Sequence, residues 1–217
     1  MDLRSYPANT PHGSAPVQLR FSPMHGASVA EVRWFYRNAD EWNAFAQRLK
    51  LIPCPHCKVV GMLIKHGSLY GYDEGNSGAT TVRAQRVFCS NRNKRRGCGR
   101  TFSVWLAHKI RRLSLTTRML YAFLRLAVAG TIVAAIAAVG QRSARTWQRI
   151  WRRFNLAQSK IRTALSARCP PPELPATELP ATPSRRPAAH VLAHLQAAFK
   201  GADPVASFQH TLRTFFV

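Results

Sequence analysis

Acidic side chains are scarce in this sequence: its 217 residues include 9 Asp+Glu against 32 Lys+Arg, a formal net charge of +23. Residues 75–172 contain no Asp or Glu, and 20 Lys and Arg residues fall within residues 83–168. Such a stretch can approach phosphates without repulsion between like charges. Each phosphate that Lys or Arg neutralises also releases condensed counterions, so the excess favours a nucleic acid as partner. A basic protein that packs within a larger assembly is the plainer alternative.

Long apolar runs are also missing. The first residues carry no apolar signal core, and the uncharged run at residues 126–140 has 15 residues, many of them small. A membrane-spanning helix needs about 20 apolar residues. We therefore expect no membrane partner and a cytoplasmic, nucleoid-associated location. A regulator anchored through residues 126–140 is the minor alternative.

Cysteine is infrequent, with five residues, but four of them form two pairs. Cys54 and Cys57 stand in a C-x2-C motif, 31 residues lie between Cys57 and Cys89, and a C-x8-C spacing joins Cys89 to Cys98. Four thiolates on two turns close the tetrahedral shell of a structural zinc ion. We predict one structural Zn²⁺ on these four residues, with Cys169 left out. Substitution of one ligand by His56 or His66, four buried free thiols, and a redox C-x2-C motif remain alternatives.

The hydrophobic pattern predicts an α+β chain with a three-stranded zinc ribbon followed by a tri-helical helix-turn-helix domain. We expect a flexible arm at residues 1–30 and a helix at 31–51 that packs on the ribbon at 52–108. The helix-turn-helix domain covers 114–168. A Pro-rich linker with the repeat ELPAT-ELPAT covers 169–188, and a short helical tail follows at 189–217.

Three capped helices are predicted after the ribbon. Ser114 or Thr116 begins the first, which ends near Gly130, and Thr131 begins the second, which ends at Gly140. The third helix begins after Ser143. Its apolar residues follow the i, i+3, i+4, i+7 spacing of one buried face, and they are Trp147, Ile150, Trp151 and Phe154.

Burial of that apolar face leaves polar and basic side chains on the opposite side of the third helix. From the major groove they can reach phosphates and base edges. The predicted DNA-reading residues are Arg142, Arg145, Gln148, Arg149 and Arg152. A second set in the widened cysteine loop is predicted to clamp the DNA backbone, and it comprises Arg92, Lys94, Arg95 and Arg96. A solvated basic face on an ordinary helical bundle is the alternative.

Four motifs carry a family resemblance: CPHC (54–57), LIKHG (63–67), QRVFC (85–89) and GCGRTFSVW (97–105). They resemble the zinc ribbon of small transposition proteins of bacterial insertion sequences, and residues 127–154 are similar to the helix-turn-helix of these proteins. Lys58 stands where that family commonly has glycine. The resemblance covers about residues 52–155 and implies binding to the terminal repeats of a mobile element.

We therefore expect a sequence-specific double-stranded DNA-binding protein, accessory or regulatory in transposition. Strand transfer uses clustered carboxylates around two metal ions about 4 Å apart. We expect no enzyme activity, because the few Asp and Glu residues of this sequence form no such cluster. The tail is expected to bind a transposase subunit, to bind a second copy, or to dock on the main body. An RNA-binding zinc-ribbon protein and a general transcriptional regulator are the alternatives.

Overall fold

The computed structural model describes residues 33–75, 78–92, 96–140 and 142–217. These residues belong to one compact unit, and within them the chain forms a four-stranded sheet and six α-helices. The fold is therefore α+β. The predicted arm at residues 1–30 lies outside the described residues, as do Lys94 and Arg95.

The sheet has the strand order β1-β4-β3-β2. The long strands β2 (Leu63–Tyr72) and β3 (Thr80–Cys89) form an antiparallel hairpin that begins by pairing Leu63 with Cys89. Strand β4 (Thr101–Leu106) pairs antiparallel with β3. Strand β1 (Trp34–Tyr36) adds parallel to β4, with Trp34 opposite Val104.

The fourth strand corrects two predictions, the three-stranded sheet and the helix at residues 31–51. Three successive aromatic residues form β1, because aromatic side chains fit a half-buried sheet and pairing covers the edge of β4. Helix α1 (Ala39–Gln47) begins only after its N-cap residue Asn38, whose side chain accepts a hydrogen bond from Glu41 N at 2.9 Å. A 3₁₀ turn at Leu49–Leu51 follows.

Helices α2 (Thr117–Ala129), α3 (Ile132–Val139) and α4 (Ala144–Ser166) follow the sheet. Their N-caps confirm the predictions: each cap oxygen accepts a hydrogen bond from the backbone N–H three residues later, and the caps are Thr116, Thr131 and Ser143. The first two helices end at Gly130 and Gly140. The apolar run at 126–140 is thus divided between α2 and α3, and no described helix is long and apolar enough to cross a membrane.

Aromatic stacking fixes α4 against α2. The rings of Phe123 and Trp147 lie 4.4 Å apart in a stacked arrangement, and both side chains are fully buried. Ile150 and Phe154 are buried on the same face of α4, whereas Trp151 is only partly buried. The predicted apolar face of the third helix is therefore the face that packs.

The C-terminal helices α5 (Arg186–Ala198) and α6 (Pro204–Leu212) complete this core. Leu195 and Phe208 are buried in the same cluster as Trp147, and Leu174 of the Pro-rich segment packs against it. The predicted tail docks on the main body, because the apolar faces of α5 and α6 pack against α2 and α4. The segment 169–188 is correspondingly less extended than a free spacer, since it contains two 3₁₀ turns and the start of α5.

A polar junction joins the sheet to the helices. Arg83 of β3 is 7% exposed and donates hydrogen bonds to the carbonyl oxygens of Tyr72 and Leu113. Its stem crosses Gly71, where a Cβ atom would lie 2.5 Å from the Arg83 Nε. The carboxylate of Glu74 accepts hydrogen bonds from Thr116 N at 2.7 Å and Thr116 Oγ1 at 3.0 Å. The start of α2 is thereby held by the loop after β2.

Candidate metal centre and nucleic-acid interface

The four predicted ligands Cys54, Cys57, Cys89 and Cys98 come together at one end of the sheet. Their Sγ atoms all lie within 4.8 Å of one another. Cys54 and Cys89 are buried, and Cys57 and Cys98 are partly exposed, so the cluster lies just below the surface. The four cysteines could hold a metal ion.

The spacing of the sulfurs fits a tetrahedral ion. Four thiolates with metal–sulfur bonds of about 2.3 Å place neighbouring sulfurs about 3.8 Å apart. The Sγ atoms of Cys54 and Cys98 are separated by 3.8 Å, and those of Cys57 and Cys89 by 3.7 Å. A disulfide would require about 2.05 Å, and all four thiols are free. The four sulfurs could therefore fill a four-coordinate shell and leave no open position on a bound ion.

Backbone amides stabilise charge on the sulfurs. The N–H of His56 donates to Cys54 Sγ at 3.4 Å, and the N–H of Cys98 donates to Cys89 Sγ at 3.4 Å. Both turns place an amide beside the first sulfur of a pair, although the second pair is spaced C-x8-C. The wide spacing is compatible with this arrangement, because the N–H of Gly99 donates to the Cys89 carbonyl oxygen at 3.0 Å and closes the turn.

Two backbone positions in these turns are left-handed. Gly99 has φ +71°, which glycine adopts without steric cost. Lys58 has φ +63° at the position where the resembling family commonly has glycine. Its Nζ donates to the Pro55 carbonyl oxygen at 3.1 Å. The turn thus keeps the backbone shape that glycine favours, with lysine in its place.

The thiols differ in acidity. The backbone N–H of Val59 is the main cause that lowers the pKa of Cys57 to about 7. Burial raises the pKa of Cys54 above its usual value and raises the pKa of Cys89 to about 12. Two of the thiols therefore hold their protons at neutral pH unless a cation displaces them, as a bound metal ion does.

The alternative ligands stand apart from the cluster. The His56 ring packs edge-on against Phe102 with centroids 6.5 Å apart, and the His66 ring packs against Phe88 at 5.3 Å. Among the described residues, the four cysteines are the one group of three or more His, Cys, Asp or Glu side chains that could share an ion. Cys169, as predicted, is not part of the group.

Helix α4 presents a polar, basic surface along its N-terminal half. Four of the five predicted DNA-reading side chains are exposed on the face opposite Trp147, and they are Arg145, Gln148, Arg149 and Arg152. Their i, i+3, i+4, i+7 spacing places them in one row. No described Asp or Glu side chain forms an ion pair with them. The row is therefore free to meet an anion.

Arg142 is placed differently from the prediction. Its guanidinium donates to the carbonyl oxygens of Ser114 at 2.8 Å and Glu74 at 3.4 Å. The side chain points inward because these carbonyl groups, in the turn before α2 and the loop after β2, need a donor. Arg142 fixes the turn between α3 and α4, and it is not a member of the exposed row.

The predicted backbone clamp is described only in part. The Arg92 guanidinium packs over the Phe88 ring, 5.6 Å from its centroid, and Arg96 is exposed. Lys94 and Arg95 lie outside the described residues. Arg92 and Arg96 therefore remain exposed cations beside the cysteine cluster, some distance along the chain from α4.

Sequence reasoning missed the structural use of the acidic residues. Asp203 accepts a hydrogen bond from Ala206 N at 2.9 Å and one from the Thr117 hydroxyl, so it ties α6 to α2. Asp73 pairs with the buried Lys109 at 3.9 Å, and Glu41 Oε1 lies 2.6 Å from His210 Nε2. The one available signal was the Asp203-Pro204 pair within the predicted helical tail, because Asp is a common N-cap residue and Pro a common first residue of a helix.

Comparisons of the chain with protein-family models, with curated proteins and with solved structures give no significant match.

Proposed function

We propose that this chain binds double-stranded DNA sequence-specifically, with α4 as the recognition helix of a helix-turn-helix formed by α3 and α4. The observation that carries the proposal is the exposed row Arg145, Gln148, Arg149 and Arg152, which no described carboxylate neutralises. Arg and Gln at such spacing suit bidentate contacts with guanine and adenine edges in the major groove.

Contacts that hold the start of α4 support this reading, because a recognition helix must be held in a fixed orientation. Gly140 ends α3 at φ +59°, and its carbonyl oxygen accepts a hydrogen bond from Trp147 Nε1 at 3.3 Å. Arg142 adds the hydrogen bonds to Ser114 and Glu74 described above. The start of α4 is therefore fixed to α3, to the core and to the loop after β2.

The metal that fits the cysteine cluster is zinc, in a purely structural role. Zn²⁺ prefers four thiolates in tetrahedral geometry, and the sulfur spacings of 3.7 and 3.8 Å match that arrangement. With all four positions filled by sulfur, the ion would supply no catalytic site. Its contribution would be folding energy for the cysteine-bearing end of the sheet.

The biological setting we propose is transposition of a bacterial insertion sequence, in an accessory or regulatory role on the chromosome. It rests on the resemblance of residues 52–155 to such proteins. A genomic neighbourhood with an adjacent transposase gene between inverted repeats would support this setting. Incubation of pure protein with such terminal DNA and Mg²⁺ tests the non-enzymatic role. Binding without nicking is expected, and nicking abolished by one carboxylate or tyrosine substitution would contradict it.

The DNA-binding proposal is tested by selecting a preferred duplex from a random pool and measuring its affinity by fluorescence anisotropy. Arg149→Ala should weaken binding to the selected duplex by roughly 5- to 150-fold, the range for one base contact, and weaken random DNA less. Arg162→Ala is the matched control, because Arg162 is exposed on another side of the same helix. Failure of the wild-type protein to bind any duplex would refute the proposal. Equal losses on both duplexes would make α4 a backbone clamp.

The dependence of DNA affinity on salt concentration separately tests whether Lys and Arg side chains contact phosphates. If about six phosphates are engaged, log affinity should fall with log salt concentration at a slope of roughly −5. A flat response would contradict the interpretation of the acid-free basic stretch.

A further inference from the structure

A second basic site lies on the flank of α4, outside the row of DNA-reading residues. An open pocket of about 260 Å³ is lined by side chains from four separate parts of the chain. Five of these side chains are cationic: Arg33, Arg111, Arg112, Arg153 and Lys160. The lining also includes Phe215, Phe216 and Val217. Segments far apart in sequence therefore converge to place positive charge around one cavity.

Four of these cations have no partner of opposite charge. No described Asp or Glu side chain forms an ion pair with Arg111, Arg112, Arg153 or Lys160, and no described group accepts a hydrogen bond from them. Val217, whose backbone carboxylate is anionic, also lines the pocket, but it forms no ion pair with these four cations among the described residues. Like charges that line one cavity repel each other, so their convergence costs free energy that a bound anion lowers. The arrangement is that of an anion site.

Aromatic contacts hold part of the site in place. The Arg111 guanidinium carbon lies 5.3 Å from the Phe215 ring centroid and 5.6 Å from that of Trp105. The Arg33 guanidinium packs over the same Phe215 ring at 5.1 Å. A guanidinium held over a ring keeps N–H groups available for phosphate and loses less conformational entropy on binding.

The backbone at Arg112 is left-handed. Arg112 has φ +61°, in the turn where Leu113 N donates to the Ile110 carbonyl oxygen at 3.3 Å. This turn position favours glycine or asparagine, because a Cβ atom crowds the backbone in the left-handed region. A cation therefore occupies a turn position beside the pocket at which backbone stability favours glycine.

We propose that this pocket binds phosphodiester groups of the DNA backbone beside the groove that α4 enters. The inference rests on the proposed DNA-binding function and adds a contact site to it. Arg153 and Lys160 lie roughly a quarter-turn around α4 from the row Arg145–Arg152, at 100° per residue. Arg153 directly follows Arg152 of that row. A helix seated in the major groove by the row turns this flank toward one bordering strand of phosphates.

The test compares two double variants that remove equal charge. Arg153→Gln/Lys160→Gln alters the pocket, and Arg186→Gln/Lys200→Gln is the control, with exposed cations at the two ends of α5, which packs on the other side of α4. Loss of two phosphate contacts should weaken binding to the selected and the random duplex alike, by roughly 60-fold at 0.1 M salt. The slope of log affinity against log salt should flatten by about 2. The control should stay within about twofold of the wild-type protein, as expected of cations without phosphate contacts.

Phosphate ethylation interference locates the contact. Ethylation at one or two phosphates flanking the site should impair binding of the wild-type protein and of the control, but should no longer affect the pocket variant. Base methylation interference should be the same for all three proteins. Retained interference at every phosphate in the pocket variant would overturn the proposal.

Arg112→Gly separates ligand binding from folding. The melting temperature should be unchanged or higher, because glycine relieves the left-handed backbone, while affinity for DNA falls roughly eightfold at 0.1 M salt. A lower melting temperature with unchanged affinity would assign Arg112 a structural role and overturn its part in the site. If the wild-type protein binds the selected duplex and the pocket variants bind it equally well, the pocket proposal fails and the DNA-binding function stands. If the wild-type protein binds no duplex, both fail.

Discussion

The sheet region (residues 33–108) and the helical region (residues 110–217) are stabilised in different ways. Among the described residues, the buried cluster of the sheet region has eight members, two of which are Cys54 and Cys89. The cluster of the helical region has 22 members and includes Phe123, Trp147 and Phe154. A core of eight side chains rarely supports a fold alone, and small modules commonly add a metal ion. The helical region needs no such support.

The two regions also differ in their content of acidic residues. The sheet region carries the polar junction with its acidic residues Asp73 and Glu74, whereas the described residues of the helical region from 110 to 172 contain no acid. The packed helices can therefore concentrate positive charge on one surface, because their large apolar core offsets the repulsion. The region with the larger core is the one proposed to contact DNA.

Metal removal should have the largest effect and should fall on the sheet region. Structural zinc in small modules binds with an apparent free energy of about 10–16 kcal/mol at pH 7, and this energy is coupled to folding. Chelation, or Cys54→Ser, should therefore release one zinc per chain and abolish the β2–β3 amide protection in hydrogen exchange. The α2 and α4 amides should stay protected.

Cys169→Ser is the matched control, since Cys169 lies outside the cluster, and it should retain full zinc content. If protein purified without zinc still protects the β2–β3 amides, the sheet region does not need a metal ion, and the proposed difference between the two regions is wrong.

Removal of one large side chain should damage the helical region next most strongly. Trp147 is fully buried and stacks on Phe123, so Trp147→Ala should cost about 3–5 kcal/mol. The melting temperature should fall by roughly 6 to 20 °C for a chain of this size.

Trp151→Ala serves as the comparison, because Trp151 is partly exposed on the same helix and should cost less. Zinc content should be unaffected in both variants. Loss of zinc on Trp147→Ala would show that the two regions fold as one cooperative unit.

Local signals explain which parts of the fold were predictable. The caps Thr116, Thr131 and Ser143 and the glycines that end α2 and α3 act within a few residues, so the sequence alone indicates them. The cysteine cluster was equally accessible, because ligand type and pair spacing reflect the chemistry of the ion.

Non-local contacts explain the rest. Strand β1 exists because Trp34 pairs with Val104, 70 positions away, and its aromatic run is equally compatible with a helix. The inward orientation of Arg142 depends on carbonyl groups of Glu74 and Ser114 that the folded loops supply. The pocket at Arg153 and Lys160 was missed because its other cations come from residues distant in sequence.

Lys58→Gly should stabilise the sheet region modestly. Lys58 lies at φ +63°, and a left-handed residue with a Cβ costs about 1 kcal/mol relative to glycine. The urea midpoint of the zinc-loaded sheet region should therefore rise by the equivalent of about 0.5–1 kcal/mol.

Gly99→Ala is the opposite substitution, and it should destabilise. At φ +71° the added Cβ would lie 2.7 Å from Asn91 Nδ2. If both variants are less stable than the wild-type protein, a contact of the Lys58 side chain stabilises the turn by more than its backbone strain costs.

The smallest expected effect concerns the Glu41–His210 contact between the two regions. Burial raises the pKa of Glu41, but hydrogen bonds from Arg37 N at 2.7 Å and from His210 outweigh it, so the net pKa is lowered. A carboxylate whose folded pKa is lowered stabilises the protein above its unfolded pKa and loses that contribution as pH falls through the folded value.

Glu41→Gln should therefore be less stable than the wild-type protein at pH 7, by under about 1 kcal/mol. The difference should shrink at acidic pH, as the pH falls through the folded pKa of Glu41, which is lowered from its ordinary value. Chemical denaturation of both proteins at the two pH values measures this. A constant difference across pH would attribute the contact to hydrogen bonding that does not require charge.

The docking of α5 and α6 on α2 and α4 has a consequence for how this helical unit can be inherited. Val191, Leu195 and Phe208 occupy the core that surrounds Trp147. A recombination event that transferred residues 114–168 alone would leave the apolar surface that α5 and α6 cover on α2 and α4 exposed to water. We therefore expect modular exchange between proteins to succeed for this chain only when the Pro-rich segment and both C-terminal helices move together with residues 114–168.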